Sequence, residues 1–162
     1  MARLLRFFTE SVGVGGLPPA LRAQFEPEGI IAVAERLGVR QRFSGSVPGR
    51  FDALGISRHK GLVVITQRRL YALIPTLARL KEPAIDQPWD PPGEGPAKAT
   101  IDETGVVLTV DLKRVDPRFN GELSTTWKTG LGEDVLASLP ARSLRFHVSP
   151  EYVFASLGVR AR

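Results

Sequence analysis

From Gly29 onward, hydrophobic residues recur at every second position. Ile31, Val33, Leu37, Val39 and Phe43 fall at odd numbers, with Arg36, Arg40 and Arg42 at even ones. Successive side chains of a strand point to opposite faces. The stretch therefore reads as one long strand, or two joined by a bend at Gly38, with one wet face. The good helix propensity of Ala32–Leu37 makes a helix over 30–37 the competing expectation. Gly61–Thr66 and Arg69–Ile74 read as two more strands joined by a polar turn at Gln67 and Arg68. Ser44–Lys60, rich in Gly, Ser and Arg, is expected to be a long loop between them.

The second half of the chain repeats the theme. After Pro75, Leu77–Leu80 suggests a short strand or turn. The region from Pro83 to Pro96 carries prolines at 83, 88, 91, 92 and 96 and reads as a surface loop. Trp89 within it is expected to pack back onto the body, because an exposed indole leaves a large apolar area in water. Lys98–Asp102 alternates, with Ala99 and Ile101 inward, and Asp102–Gly105 forms a turn. Val106, Leu108, Val110 and Leu112 then share one face of the cleanest half-buried strand. Asp116–Gly121 reads as another turn, with Asn120-Gly121 as its strongest signal, and Glu122–Lys128 returns with Leu123, Thr125 and Trp127 inward.

A short helix is expected over Glu133–Leu139, followed by a strand carrying Leu144, Phe146 and Val148. A terminal helix follows, with Ser149 as N-cap, Pro150 at its first position and Gly158 past its end. At the other terminus, Leu4, Leu5, Phe8 and Val12 share one face of a helix over 2–12. Glycines and Pro18-Pro19 interrupt it before a second short helix, Ala20–Phe25. The organisation expected is an N-terminal amphipathic helix and linker, residues 1–26, followed by one barrel domain, residues 27–162. About seven or eight strands and a terminal helix predict a mainly-β protein, an antiparallel barrel or sandwich with a C-terminal capping helix.

Composition narrows the chemistry. With 162 residues and 43% hydrophobic content, one globular domain is expected. There is no cysteine, which removes disulfides, thiolate nucleophiles and Cys-based metal sites. No run of about 18 apolar residues occurs, and Glu10 interrupts the apolar N-terminus early, against a signal peptide. A cytoplasmic protein is the expectation, with peripheral membrane attachment as a variant. The net charge of +5 permits weak attraction to anionic surfaces, although so small an excess also suits ordinary solubility.

The segment Gly61-Leu-Val-Val-Ile-Thr-Gln-Arg-Arg-Leu-Tyr-Ala-Leu-Ile74 resembles the hairpin near the start of bacterial pleckstrin-homology-like and GRAM-like domains. The similarity runs from about Gly29 to Pro75; beyond it only the order of elements matches. The resemblance implies two bent sheets capped by a C-terminal helix, and an adaptor in place of an enzyme. The expected terminal helix is shorter than the family's, and 131–148 adds a helix and a strand. Lipid-binding members place a Lys/Arg cluster on the first hairpin, where Arg40, Arg42, Arg50, Arg58 and Lys60 occupy comparable ground. Their spacing departs from the family's signature, so phosphoinositide binding is not carried over.

Few residues offer catalysis. The two histidines, His59 and His147, are far apart in sequence; each reads as solvated, with no oriented partner. Ser44–Gly49 lacks the Lys of a phosphate loop, and no carboxylate pair clusters. No cofactor and no metal are expected. The one binding feature is basic: Arg40, Arg42, Arg50, Arg58, Lys60, Arg68 and Arg69 form a candidate patch for an anion or a partner, set against a merely solvated surface. A protein partner or an anionic lipid surface suits it. Nucleic acid suits it less, because exposed aromatics for base stacking are not interleaved. The expectation is a non-catalytic interaction module. A small barrel enclosing an apolar ligand is the alternative, and an unrecognised enzyme comes third.

Overall fold

The computed structural model describes residues 19–74 and 82–159. The helix expected at 2–12 and the strand or turn expected at 77–80 lie outside these residues. Eight described strands form one antiparallel sheet: β1 Ile30–Val47, β2 Arg50–Thr66, β3 Arg69–Leu73, β4 Ile85–Pro88, β5 Ala97–Ile101, β6 Val106–Asp111, β7 Asn120–Trp127 and β8 Ser143–Phe146. Four short α-helices accompany them: α1 Pro19–Phe25, α2 Leu112–Val115, α3 Glu133–Ala137 and α4 Pro150–Leu157. The spatial order β4-β3-β2-β1-β7-β6-β5-β8 curls into a nearly closed barrel. Between the two edge strands, the Tyr152 hydroxyl of α4 donates to the Ala84 carbonyl at 2.6 Å, just before β4.

The mainly-β antiparallel architecture with a C-terminal helix is thus as the alternation predicts. The β2–β3 hairpin pairs Leu62 with Leu73 and Ile65 with Leu70 around the turn at Gln67 and Arg68. Ser149 caps α4 by accepting from the Tyr152 amide at 3.1 Å, and Gly158 ends it in the left-handed region. Trp89 does fold back, and its indole N–H donates to the Thr66 carbonyl at 2.8 Å.

Ser44–Lys60, expected as a loop, is instead the outer part of a long hairpin. β1 continues to Val47, turns at Pro48-Gly49, and β2 begins at Arg50. The alternation there is inverted. Asp52, Gly55, Ser57 and His59 are half-buried, while Phe51, Leu54 and Ile56 stand exposed. A pattern with apolar residues outward carries no strand signal when apolar is assumed to mean inward. The Pro-rich loop contains β4, whose closing Pro88 lies on an edge strand, where a missing amide donor is tolerated. The strand expected to reach Leu112 ends at Asp111, and Leu112 is buried in α2. The final strand stops at Phe146, so His147 follows it.

Residues 30–37 are strand, not helix, but their parity breaks. The β1–β2 register shifts between Ile30 and Ala32 and again between Ala34 and Leu37, where Arg36 takes a positive φ of 52°. Consequently Ile31 and Val33 part company. Ile31 joins the barrel core with Phe43, Leu70, Leu123 and Trp127, while Val33 faces a second cluster. That cluster holds Phe25, Ile30, Leu62, Val64 and Tyr71, and the Phe25 and Tyr71 rings lie 4.8 Å apart. Phe25 anchors α1 over this outer face of the sheet. The run Leu62–Ile65 is accordingly apolar throughout, since both its faces are buried.

Candidate functional site

Cross-strand partners present their side chains on the same face. Along the β1–β2 hairpin, Gly38 pairs with Lys60, Val39 with His59, Arg40 with Arg58 and Arg42 with Ile56. Arg40 therefore stands directly opposite Arg58, an arrangement that is unfavourable for two like charges unless an anion lies between them. The Lys128 amide, just past β7, donates to the Gly38 carbonyl at 3.0 Å and brings a further cation alongside. Together Gly38, Val39, Arg40, Arg58, His59, Lys60 and Lys128 line an open cleft of about 610 Å³. Four of these seven residues are Lys or Arg and none is acidic. The Arg40 Nε is enclosed and has no hydrogen-bond partner among the described residues. A buried donor left unmatched costs free energy that a ligand oxygen would relieve.

The remaining candidates lie elsewhere. Arg42 shares the outer face one row further on, and the same row continues through Ser124, Thr109, Lys98 and Arg145. Arg50 is spent on structure: its Nε donates to Asp52 Oδ2 at 2.6 Å and its Nη1 to the Leu157 carbonyl at 2.8 Å. Arg69 is likewise engaged, donating through Nη2 and Nε to the Glu28 carboxylate at 2.6 and 2.9 Å and through Nη1 to Asp86 at 3.0 Å. The Glu28 hydrogen bonds, with Asp86 adding to them, hold its guanidinium pKa above the ordinary value. Arg68 is exposed at the β2–β3 turn, beside Arg69, Trp89 and Asp90 in a second, mixed-charge cleft. The seven expected residues thus divide: Arg40, Arg58 and Lys60 share the cleft with Arg42 near it, and the other three serve different places.

Lys128 escaped the sequence reading. It follows a return strand some ninety positions away from Gly38, and only the β1–β7 register joins them. His59 is half-buried on β2, not in a loop, with its Nε2 3.0 Å from Ser57 Oγ. No ion pair involving His59 occurs among the described residues. His147 is exposed. Among the described residues no group of three His, Asp or Glu side chains is placed to hold a metal, and no helix is long and apolar enough to cross a membrane.

Fold and site together define a mainly-β, barrel-like protein with a basic cleft on the outside of its longest hairpin. Comparison with family models, with curated proteins and with solved structures finds no match.

Proposed function

We propose that the chain is a non-catalytic binding module of the pleckstrin-homology-like kind its β2–β3 hairpin resembles. It holds an anionic group, borne by a protein partner or by a membrane surface, in the cleft of Arg40, Arg58, Lys60 and Lys128. The observation that carries this reading is the direct opposition of Arg40 and Arg58 in a cleft without a carboxylate. An enclosed Arg40 Nε awaiting an acceptor supports it. Against the apolar-ligand alternative, the barrel interior is occupied by Phe43, Leu70, Phe119 and Trp127, each 1% exposed or less.

The test uses two probes, phosphatidylserine vesicles and poly-glutamate, each against a neutral counterpart. Binding to at least one anionic probe is expected, weakening as salt screens the charges. Arg40→Gln combined with Lys128→Gln should lower it at least about fivefold, and the preferred probe identifies the source of the anion. Equal binding to neutral probes, or an unaffected variant, refutes the reading. A hydrolytic or transfer activity abolished by His59→Ala refutes its non-catalytic part.

A further inference from the structure

Beside the cleft, β2 has an edge that no described strand uses. β1 pairs with β2 from Arg50 to Thr66, but β3 pairs with it only from Leu62 to Ile65. Among the described residues, the other edge of 51–58 therefore carries no ladder. Among the described residues, the same stretch holds the exposed large hydrophobics: Phe51 at 75%, Leu54 at 53% and Ile56 at 47%. A register shift between Phe43 and Gly45 matches their two-residue step against three on β2, from Gly55 to Asp52. The extra residue turns Phe51 and Leu54 to the same outer side although one number is odd and the other even. Behind them the hairpin is braced: Gln41 Nε2 donates to the Ser156 carbonyl at 2.7 Å and Arg50 to that of Leu157, so α4 holds its inner face. The exposed row is thus a held edge, not a loose flap.

We propose that this edge takes up an extended, acidic peptide segment as an added strand. Its apolar side chains would rest on Phe51, Leu54 and Ile56, and its carboxylates would face Arg58 and Arg42. An unpaired strand edge is a template for main-chain hydrogen bonding, and alternate side chains then read the partner. Charge selects among the possible occupants. A second copy would bring another Arg58 and another +5 to the interface, which repels. Insertion into a bilayer would carry the unpaired amides and carbonyls of 51–56 into hydrocarbon without partners. A peptide satisfies the backbone and the arginines together. The inference rests on the cleft reading only for the sign of the partner's charge.

The probe is a labelled peptide with threonine at every second position and, on the other face, valine where it meets Phe51, Leu54 and Ile56 and glutamate where it meets Arg58. Its binding to the full chain is followed by fluorescence anisotropy. Three results are expected. The peptide binds, and its counterpart with lysine for glutamate does not. Leu54→Glu, an exposed position that leaves the core intact, weakens binding about tenfold, as loss of one interface anchor does. Amides within 51–58 exchange more slowly in the complex, and a peptide N-methylated at alternate residues fails to bind. The proposal is overturned if the peptide binds without slowing those amides, or if Leu54→Glu leaves its affinity unchanged. It is overturned equally if Leu54→Glu dissociates a dimer of the free chain, or if phosphatidylserine vesicles and not the peptide protect residues 51–56. Binding lost with Arg40→Gln/Lys128→Gln but untouched by Leu54→Glu removes the strand proposal and leaves the cleft reading standing. The opposite pattern removes the cleft and keeps the strand.

Discussion

Replacing Arg69 with methionine keeps the aliphatic stem and deletes the guanidinium, whose largest contribution is its pairing with Glu28. The Glu28 carboxylate accepts from Arg69 Nε at 2.9 Å, from Arg69 Nη2 at 2.6 Å and from Thr66 Oγ1 at 3.0 Å. Its side chain is only 9% exposed, while that of Arg69 is 30% exposed. Breaking a fully buried pair costs about 3–5 kcal/mol. Here the Thr66 bond survives and water reaches part of the vacated space, so about 2–3 kcal/mol is expected. The Asp86 pair, with its carboxylate 41% exposed, adds less than about 1 kcal/mol. The guanidinium also lies 5.5 Å from the Phe25 ring centre, another contribution of about 0.5 kcal/mol. Together these come to about 2.5–4.5 kcal/mol, and at about 2–4 °C per kcal/mol for a chain of this size Tm should fall by roughly 5–18 °C. Urea denaturation followed by circular dichroism measures the loss. A cycle with Glu28→Gln should return a coupling of about 1.5–2 kcal/mol between the two residues. A loss under about 0.5 kcal/mol, or additive effects, would show that the pair does not clamp the residues before β1 to β3.

Gly61→Ala places a Cβ 2.5 Å from Val39 Cγ2 and 2.9 Å from Trp127 Cδ1, at a φ any residue adopts. Overpacking of about 1–3 kcal/mol should follow, and an unchanged Tm would contradict the packing of Trp127 on β2. Arg36→Gly removes a side chain from a φ of 52°. Relief of about 1 kcal/mol of left-handed strain, partly offset by glycine's greater chain entropy, should leave a small gain in stability; a loss would refute the strain. Burial pushes the Tyr152 hydroxyl, and to a lesser degree that of Tyr71, above the ordinary tyrosine value. Stability tied to these raised groups is present below the unfolded value of about 10 and is lost as pH rises through the folded ones. Tyrosinate absorbance should therefore appear near pH 10 in urea but only at higher pH in the native chain, and coincident titrations would count against burial of both hydroxyls.

The candidate site was half legible. Arg40, Arg42, Arg58 and Lys60 stand out as cations near one hairpin, and the register does gather them. Nothing in the residue types tells Arg58 from Arg69, yet one faces an unmatched arginine and the other clasps Glu28, 41 positions away. Lys128 has no local mark at all. Cation identity is written in the chain, whereas the presence of a counter-charge depends on which distant carboxylate the fold delivers.

Strand identity followed from short-range physics in two places: the Leu62–Leu73 hairpin, from apolar runs joined by a polar turn, and the Val106–Val110 strand, from alternation. The Asn-Gly signal misled: the turn falls at Pro117-Arg118, and Asn120 and Gly121 open β7, paired with Ser46 and Gly45. The Ser149 cap and the Gly158 stop of α4 were equally local, because capping satisfies amides and carbonyls within one turn. Three features needed the tertiary structure. Val33 and Leu62 are buried on the outer face because α1 covers it, which no alternation rule anticipates. The shift around Arg36 exchanges the faces of β1, and a one-residue slip costs the local chain little while redirecting every side chain beyond it. The outer hairpin puts Phe51, Leu54 and Ile56 in water, since its inner face is held by α4 through Gln41 and Arg50. Hydrophobic pattern reports which side chains prefer burial; only the packed neighbours decide which of them obtain it.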